Sequence, residues 1–224
     1  MLQSSNINQL SLLVQEKEKV YTFRQLQSKD APATQKLMNT TFLSHNPVMK
    51  LLSVTLEDIQ ILQSLTIFDQ IIQEGLSYGA FFGDELISAC LTCDIKTCLL
   101  EKGIQPTVTA QLIIDIIDQL FHEFMKKQIV SQKKVAYLNH LGTYQDYLRQ
   151  NLAVVCAYLS MKECEKLEYE QVFTDSWHQG TYGTFQKVFQ QFQILKEINQ
   201  LKEQPVHVKS LLAELKPLQG EMEK

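Results

Sequence analysis

The stretch from Val135 to Ser176 constrains the fold more than any other part of the chain. Val135 to Thr143 reads as a strand, Asp146 to Leu167 follows without a long loop as a helix, and Glu170 to Ser176 returns to the strand pattern. Strands separated by helices imply a mixed sheet with right-handed crossovers, its faces covered by the connecting helices.

The flanking segments extend this pattern. Val20 to Leu26 reads as a strand in which Tyr21, Phe23 and Gln25 alternate with their neighbours. Ser28-Lys29-Asp30-Ala31-Pro32 starts a helix, because Ser28 or Asp30 can accept free N–H groups and proline is tolerated in a first turn. That helix turns Leu37, Met38 and Phe42 inward and is interrupted at His45-Asn46-Pro47, since the residue before a proline is pushed out of the helical region. Leu56 to Ile72 reads as a second helical stretch, closed by Gly75. Ser77 to Phe82 and Leu86 to Cys93 form a hairpin across Gly83-Asp84-Glu85, where Gly and Asp supply the positive φ of a tight turn.

Thr107 to Lys127 is strongly helical, with Leu112, Ile113, Ile116, Ile117, Leu120, Phe121 and Phe124 in one stripe that faces a core. Beyond Ser176, Thr181 to Phe189 reads as a short helix, and Phe192 to Leu201 as a last strand or a strand plus helix. The predicted class is therefore α/β, a mixed central sheet flanked by helices. The chain divides into an N-terminal extension (1–19), one domain (20–201) and a C-terminal tail (202–224). The tail carries Val206, Val208, Leu211, Leu212 and Leu215 at partly helical spacing, which suits docking on this domain or on another chain.

With 224 residues, 45% of them hydrophobic, the chain builds a core without disulfide staples. The net charge is -4, and arginine occurs only at Arg24 and Arg149, so there is no basic face for a nucleic-acid backbone. No apolar run approaches the roughly 20 residues that cross a bilayer, and Met1 to Val14 lacks the pattern of a secretion signal. The expectation is a cytoplasmic protein with no nucleic-acid or membrane partner. The cysteines Cys90, Cys93, Cys98, Cys156 and Cys164 are read as reduced thiols. Cys90 and Cys93 form a CxxC with no second Cys or His pair at zinc spacing, so they are expected to be buried strand thiols rather than metal ligands.

In sheets of this kind the place to look for a site is the turn from a strand's carboxyl end into the next helix, where unpaired N–H groups and the helix dipole accept phosphate oxygens. Here that turn reads Leu141-Gly142-Thr143-Tyr144-Gln145-Asp146-Tyr147-Leu148-Arg149-Gln150-Asn151-Leu152-Ala153. It resembles the acyl-CoA-binding motif of the GNAT superfamily of N-acetyltransferases, and within it the branch of the arylalkylamine and dopamine acetyltransferases. In that family a strand ending in Leu-Gly-Thr or Leu-Ala-Val leads through Asp-Tyr to Arg-x-x-Gly-x-Gly/Ala, whose backbone amides hold the coenzyme A pyrophosphate. Aligned without a gap, Leu148 stands at the motif arginine, Arg149 at its small neighbour, Asn151 at the inner glycine and Ala153 at the final Gly or Ala. Phe42 to Val48 is similar to the family's Phe-x-x-Asp-Glu-Pro-Leu, Glu74-Gly75-Leu76-Ser77 to its Glu-Gly-x-Ser, and Phe185-x-Lys187 to the end of its Tyr-x-Lys-x-Gly-Phe.

The resemblance implies a single GNAT-like domain with a V-shaped opening between the parallel strands at 135–143 and 170–176. It implies acetyl-CoA as cosubstrate and a small-molecule or protein amine as acceptor, and leaves the oligomeric state open. It implies Leu141, Gly142, Thr143, Leu148, Arg149, Gln150, Asn151, Leu152 and Ala153 as cofactor-binding residues, with Thr174, Asp175 and Trp177 lining the acyl end. Substituting the inner glycine by Asn151 is mild if the position needs positive φ, since Asn visits the left-handed region more readily than most residues. Losing the motif arginine removes a contact of about 1.5–3 kcal/mol, against roughly 8 kcal/mol for micromolar binding.

An alkylamine with a pKa near 10.4 is protonated at neutral pH, and a placed base speeds its reaction about 100- to 10,000-fold. At the position of the family's base this chain has Asn46, which cannot accept a proton. At the position of the family's acid it has Phe185, and Tyr182, three residues earlier on nearly the same helix face, is a candidate to substitute for it. His45 is a further polar candidate, as are Tyr137 and Asn139, which share a strand face with Leu141 by alternation. His140 then faces the other way, buried and hydrogen-bonded. Two functions follow: an acyl-CoA-dependent N-acetyltransferase, or a degenerate GNAT-fold protein serving as a binding or structural subunit of a larger assembly.

Overall fold

The computed structural model describes residues 19–64, 68–98, 105–131, 133–189, 191–201 and 203–215. The expected N-terminal extension, apart from Lys19, and the tail beyond Leu215 lie outside the described residues. Strands β1 (Thr22–Gln25), β2 (Tyr78–Phe82), β3 (Glu85–Asp94), β4 (Val135–Thr143), β5 (Gln171–Ser176), β6 (Gln193–Leu201) and β7 (Gln204–Glu214) form one sheet in the order β1-β2-β3-β4-β5-β7-β6. Every neighbouring pair is antiparallel except β4 and β5. The helices are α1 (Ala31–His45), α2 (Pro47–Leu51), α3 (Leu56–Ser64), α4 (Phe68–Gln73), α5 (Ile95–Cys98), α6 (Val108–Ser131), α7 (Leu152–Lys166) and α8 (Gln179–Val188). The stretch read as one helix from Leu56 to Ile72 is α3 and α4, with residues 65–67 outside the description.

Burial explains the layers. On one face α7 and α8 set Leu152, Cys156, Ala157, Met161 and Phe185 against Ala80, Cys90, Leu138 and Val172 of the sheet. On the other, α1, α4 and α6 set Leu37, Met38, Ile71, Phe121 and Phe124 against Leu91, Cys93, Tyr137 and Phe173. Each such side chain contributes about 1.5–3 kcal/mol by leaving water, which outweighs the propensity differences between elements. Cys90 and Cys93, three residues apart on β3, belong to opposite faces and do not converge. α7 is also held by polar contacts, Ser160 Oγ donating to Leu76 O at 2.5 Å and sharing a second hydrogen bond with Thr92 Oγ1 at 2.7 Å. A third cluster packs α2, α3 and the first turns of α6 around Trp177. No helix among the described residues is long and apolar enough to cross a membrane.

Three expectations need correction. The segment from 204 to 214 is not a helical tail: β7 inserts between β5 and β6, so the folded unit runs past residue 201. Both of its faces are covered, with Leu211 and Ala213 in one core and Leu212 in the opposite one, and a doubly buried strand shows no clean alternation. The helix expected from Asp146 begins at Leu152, because Leu148 is extended and Arg149 and Asn151 have positive φ. Finally, alternation along β4 breaks at Asn139. Leu91 pairs with His140 but Thr92 with Leu138, so one extra residue bulges there and Tyr137 and Leu141 lie on opposite faces.

Candidate active site

The sheet opens where β4 and β5 part. The two pair from Val135↔Gln171 only as far as Leu138↔Thr174, a last rung tied by Thr174 Oγ1 donating to Leu138 O at 2.8 Å. Beyond it β4 stays with β3 as far as Thr143, while β5 stays with β7 as far as Ser176. The bulge at Asn139 falls one residue past the rung and strengthens the local twist that carries β4 away. The result is the V-shaped opening between the two parallel strands.

At the far end of β4 the chain turns into α7. Tyr144 N–H donates to Ile87 O at 3.0 Å, which keeps the chain against β3, and Gln145–Tyr147 makes a single 3₁₀ turn. Asn151 then adopts φ 58°, ψ 13° at the N-cap of α7, the left-handed conformation that a glycine would take there. Its side chain caps no amide of its own helix; Oδ1 instead accepts from Lys187 Nζ of α8 at 2.9 Å. Among the described residues the N–H groups of Gln150, Asn151, Leu152, Ala153 and Val154 donate no hydrogen bond. Those amides lie together at the positive end of the α7 dipole.

A cleft of ≈ 1600 Å³ runs from this turn through the opening. Every residue expected to bind the cofactor, from Leu141 through Thr143 and from Leu148 through Ala153, lies on its wall. So do Gly180, Thr181, Thr184 and Lys187 from one side of α8. Past the opening it widens into a basin of Phe42, Met49, Ile113, Ile117, Phe121 and Tyr137, mostly contributed by α1, α2 and α6.

Asp175 stands one residue beyond the last rung, on the α6 side of the sheet. Tyr137 Oη donates to its Oδ1 and Trp177 Nε1 to its Oδ2. Burial raises its pKa above the ordinary aspartate value, against the lowering effect of these two donors and of its own backbone N–H. His140 is edge-on to Phe42, with ring centroids 5.1 Å apart, and burial pushes its pKa down to about 4. The expectation that His140 is hydrogen-bonded fails at Nδ1, which is buried without a partner among the described residues. His178 caps α8 with Nδ1 accepting from Gly180 N at 2.9 Å, and its pKa is lowered by burial and then by the charge of His45.

The two residues expected at the catalytic positions are placed as follows. Asn46 lines the cleft, yet it is 4% exposed and its Oδ1 accepts from Val48 N at 2.9 Å and Met49 N at 3.3 Å, so its carboxamide is the N-cap of α2. Tyr182 is not on the cleft wall. It stacks edge-on with Phe192 at 6.0 Å, with Lys209 Nζ 4.8 Å from its ring centroid. Tyr182 and Phe185 do share a helix face, but that face looks into the core, where Phe185 is 1% exposed. Lys187, on the cleft side of the same helix, was legible only as a matching letter of the motif.

No family model matches the sequence, and no curated protein matches it significantly. Solved structures do resemble it. An arylalkylamine N-acetyltransferase 7, described as putative, from the yellow fever mosquito superposes with a TM-score of 0.70 at 13% identity, over 91% of each chain. Arylalkylamine N-acetyltransferase 2 from Aedes aegypti gives 0.67 at 14% identity, over 88% of this chain and 99% of that one. The C-terminal condensation domain of Ebony, in complex with beta-alanyl-dopamine, gives 0.67 at 11% identity, over 88% and 100%. Likeness at such identities speaks to architecture, and the chain has the fold of the GNAT N-acetyltransferases.

Proposed function

We propose that this chain is an N-acetyltransferase that moves an acetyl group from acetyl-CoA to a primary amine. The observation that carries the reading is the set of unpaired amides at Gln150 to Val154, aligned with the α7 dipole and opening onto the gap between β4 and β5. A diphosphate needs such a concave group of donors, and a helix N-terminus adds roughly half a positive charge. Lys187, already against Asn151, supplies a cation where Leu148 does not, and the edge of β4 from Leu141 to Thr143 offers backbone groups to an extended arm. Acetyl-CoA, when bound, supplies the activated thioester carbonyl. The chain's own part is to hold the donor along the turn, to enclose the acceptor among Phe42, Ile117 and Phe121, and to remove the ammonium proton in the cleft.

A second reading has specific support: Asn46 is committed to a helix cap and Phe185 and Tyr182 to packing, so the base and acid implied by the resemblance have no counterparts here. A degenerate GNAT-fold binding or structural subunit is the function that follows. Titration calorimetry with acetyl-CoA, followed by thiol-release assays on phenethylamine, agmatine and a short peptide with a free N-terminus, separates the two. Binding with turnover of one amine supports the enzyme; binding with none supports the subunit. An absence of heat at about 1 mM, an affinity of only about 4 kcal/mol, contradicts the placement of the diphosphate.

A further inference from the structure

We propose that Asp175 is the catalytic base of the cleft, receiving the acceptor's ammonium group on its carboxylate and taking the proton. The inference rests on the acetyltransferase reading and deepens it. Enclosing a carboxylate is unfavourable unless a partner compensates. The partners of Asp175 are the hydroxyl of Tyr137, the indole N–H of Trp177 and its own backbone N–H, all neutral, and no charged group acts on it among the described residues. The fold thus fixes the orientation of a carboxyl group and sets no counter-charge beside it among the described residues. With these two donors and the backbone N–H of Asp175 itself, the two oxygens are not saturated, which leaves room for an ammonium group. The place is also right, one residue past the Leu138↔Thr174 rung where the sheet opens, on the side walled by Phe121, whose ring centroid is 5.2 Å from that of Tyr137. A carboxyl raised by burial is a better match to proton transfer near neutral pH than an exposed one.

The step balances. Asp175 takes a proton from R–NH₃⁺, and the freed lone pair attacks the thioester carbon, forming C–N. Collapse breaks C–S, and the second nitrogen proton goes to the leaving thiolate. The proton on Asp175 returns to water.

The test compares wild type with Asp175→Asn and Tyr137→Phe, using acetyl-CoA and the same three amines. Other titratable groups lining the cleft are His45, Lys50, Asp118, His140, Tyr147, Arg149, His178 and Lys187, so the pH dependence of kcat/KM is measured in each variant. Asp175→Asn is expected to lower kcat about 100- to 10,000-fold, leave the acetyl-CoA Kd within about twofold, and abolish the acid limb of the profile. Tyr137→Phe removes a donor to the carboxylate and should move that limb to higher pH, a shift that is readable even if Asp175→Asn fails to fold. Wild-type turnover with kcat of Asp175→Asn within about threefold, or a limb unmoved by Tyr137→Phe, overturns the assignment while leaving the transferase reading intact. A wild type that binds acetyl-CoA but acetylates none of the amines overturns that reading, and this one with it.

Discussion

Asn151 concentrates the residue-scale physics of the site, because one backbone conformation serves both the turn and the amides. A residue with a Cβ in the left-handed region costs about 1–2 kcal/mol, less for asparagine. Asn151→Gly is therefore expected to keep the acetyl-CoA Kd within about threefold, a difference under about 1 kcal/mol. Asn151→Pro cannot reach φ 58°, removes an N–H, and should abolish binding in the same calorimetric titration. His140 yields a second prediction. Its folded pKa of about 4 lies below the ordinary 6.5, so the unfolded chain binds the extra proton between those values. The stability from its neutral burial is complete above pH 6.5 and is lost as pH falls toward 4; in urea melts across that window His140→Leu should flatten the wild-type decline.

Among the elements, α8 illustrates what spacing can and cannot say. Thr181 to Phe189 was legible as a helix, and the shared face of Tyr182 and Phe185 followed from their separation; which face meets the cleft depended on how α8 packs beside α7, a contact between segments distant in sequence. Gly180, Thr184 and Lys187 turn out to form the cleft side. If Lys187 supplies phosphate charge, Lys187→Met should weaken acetyl-CoA about 10- to 100-fold, as loss of one charge-assisted contact does. The salt dependence of binding should flatten as well, whereas a lysine that only fixes Asn151 would leave the salt slope unchanged. The start of α7 was hidden because Asp146 is a good helix-starting residue, and nothing local in Leu148-Arg149-Gln150-Asn151 announces two positive φ values. The bulge at Asn139 was hidden for a similar reason, since it is defined by the partner strand.

For the whole molecule, the order of the central elements was legible because the hairpin turn and the Pro-interrupted helices mark their own ends. The sheet's last third was not. β7 contributes Leu211 and Ala213 to one face, Leu212 to the other and Val206 and Val208 to the cluster around Trp177, so it joins all three cores, and its apolar run obeys no single period. Leu211 is 0% exposed and pairs with Thr174, so β7 also supports the strand that carries Asp175. Leu211→Ala should cost about 2–5 kcal/mol in urea unfolding, the penalty of a core cavity. A loss under about 1 kcal/mol would mean that the segment docks loosely on the domain.

Whether the amides opening α7 are donors to a diphosphate is read by following backbone ¹⁵N–¹H signals during titration with coenzyme A. The amides of Gln150 to Val154 should show the largest shifts and become protected from exchange, and dephosphorylated pantetheine, which has no diphosphate, should leave them in place. Coenzyme A binding that shifts signals elsewhere and leaves these amides unmoved would contradict the account.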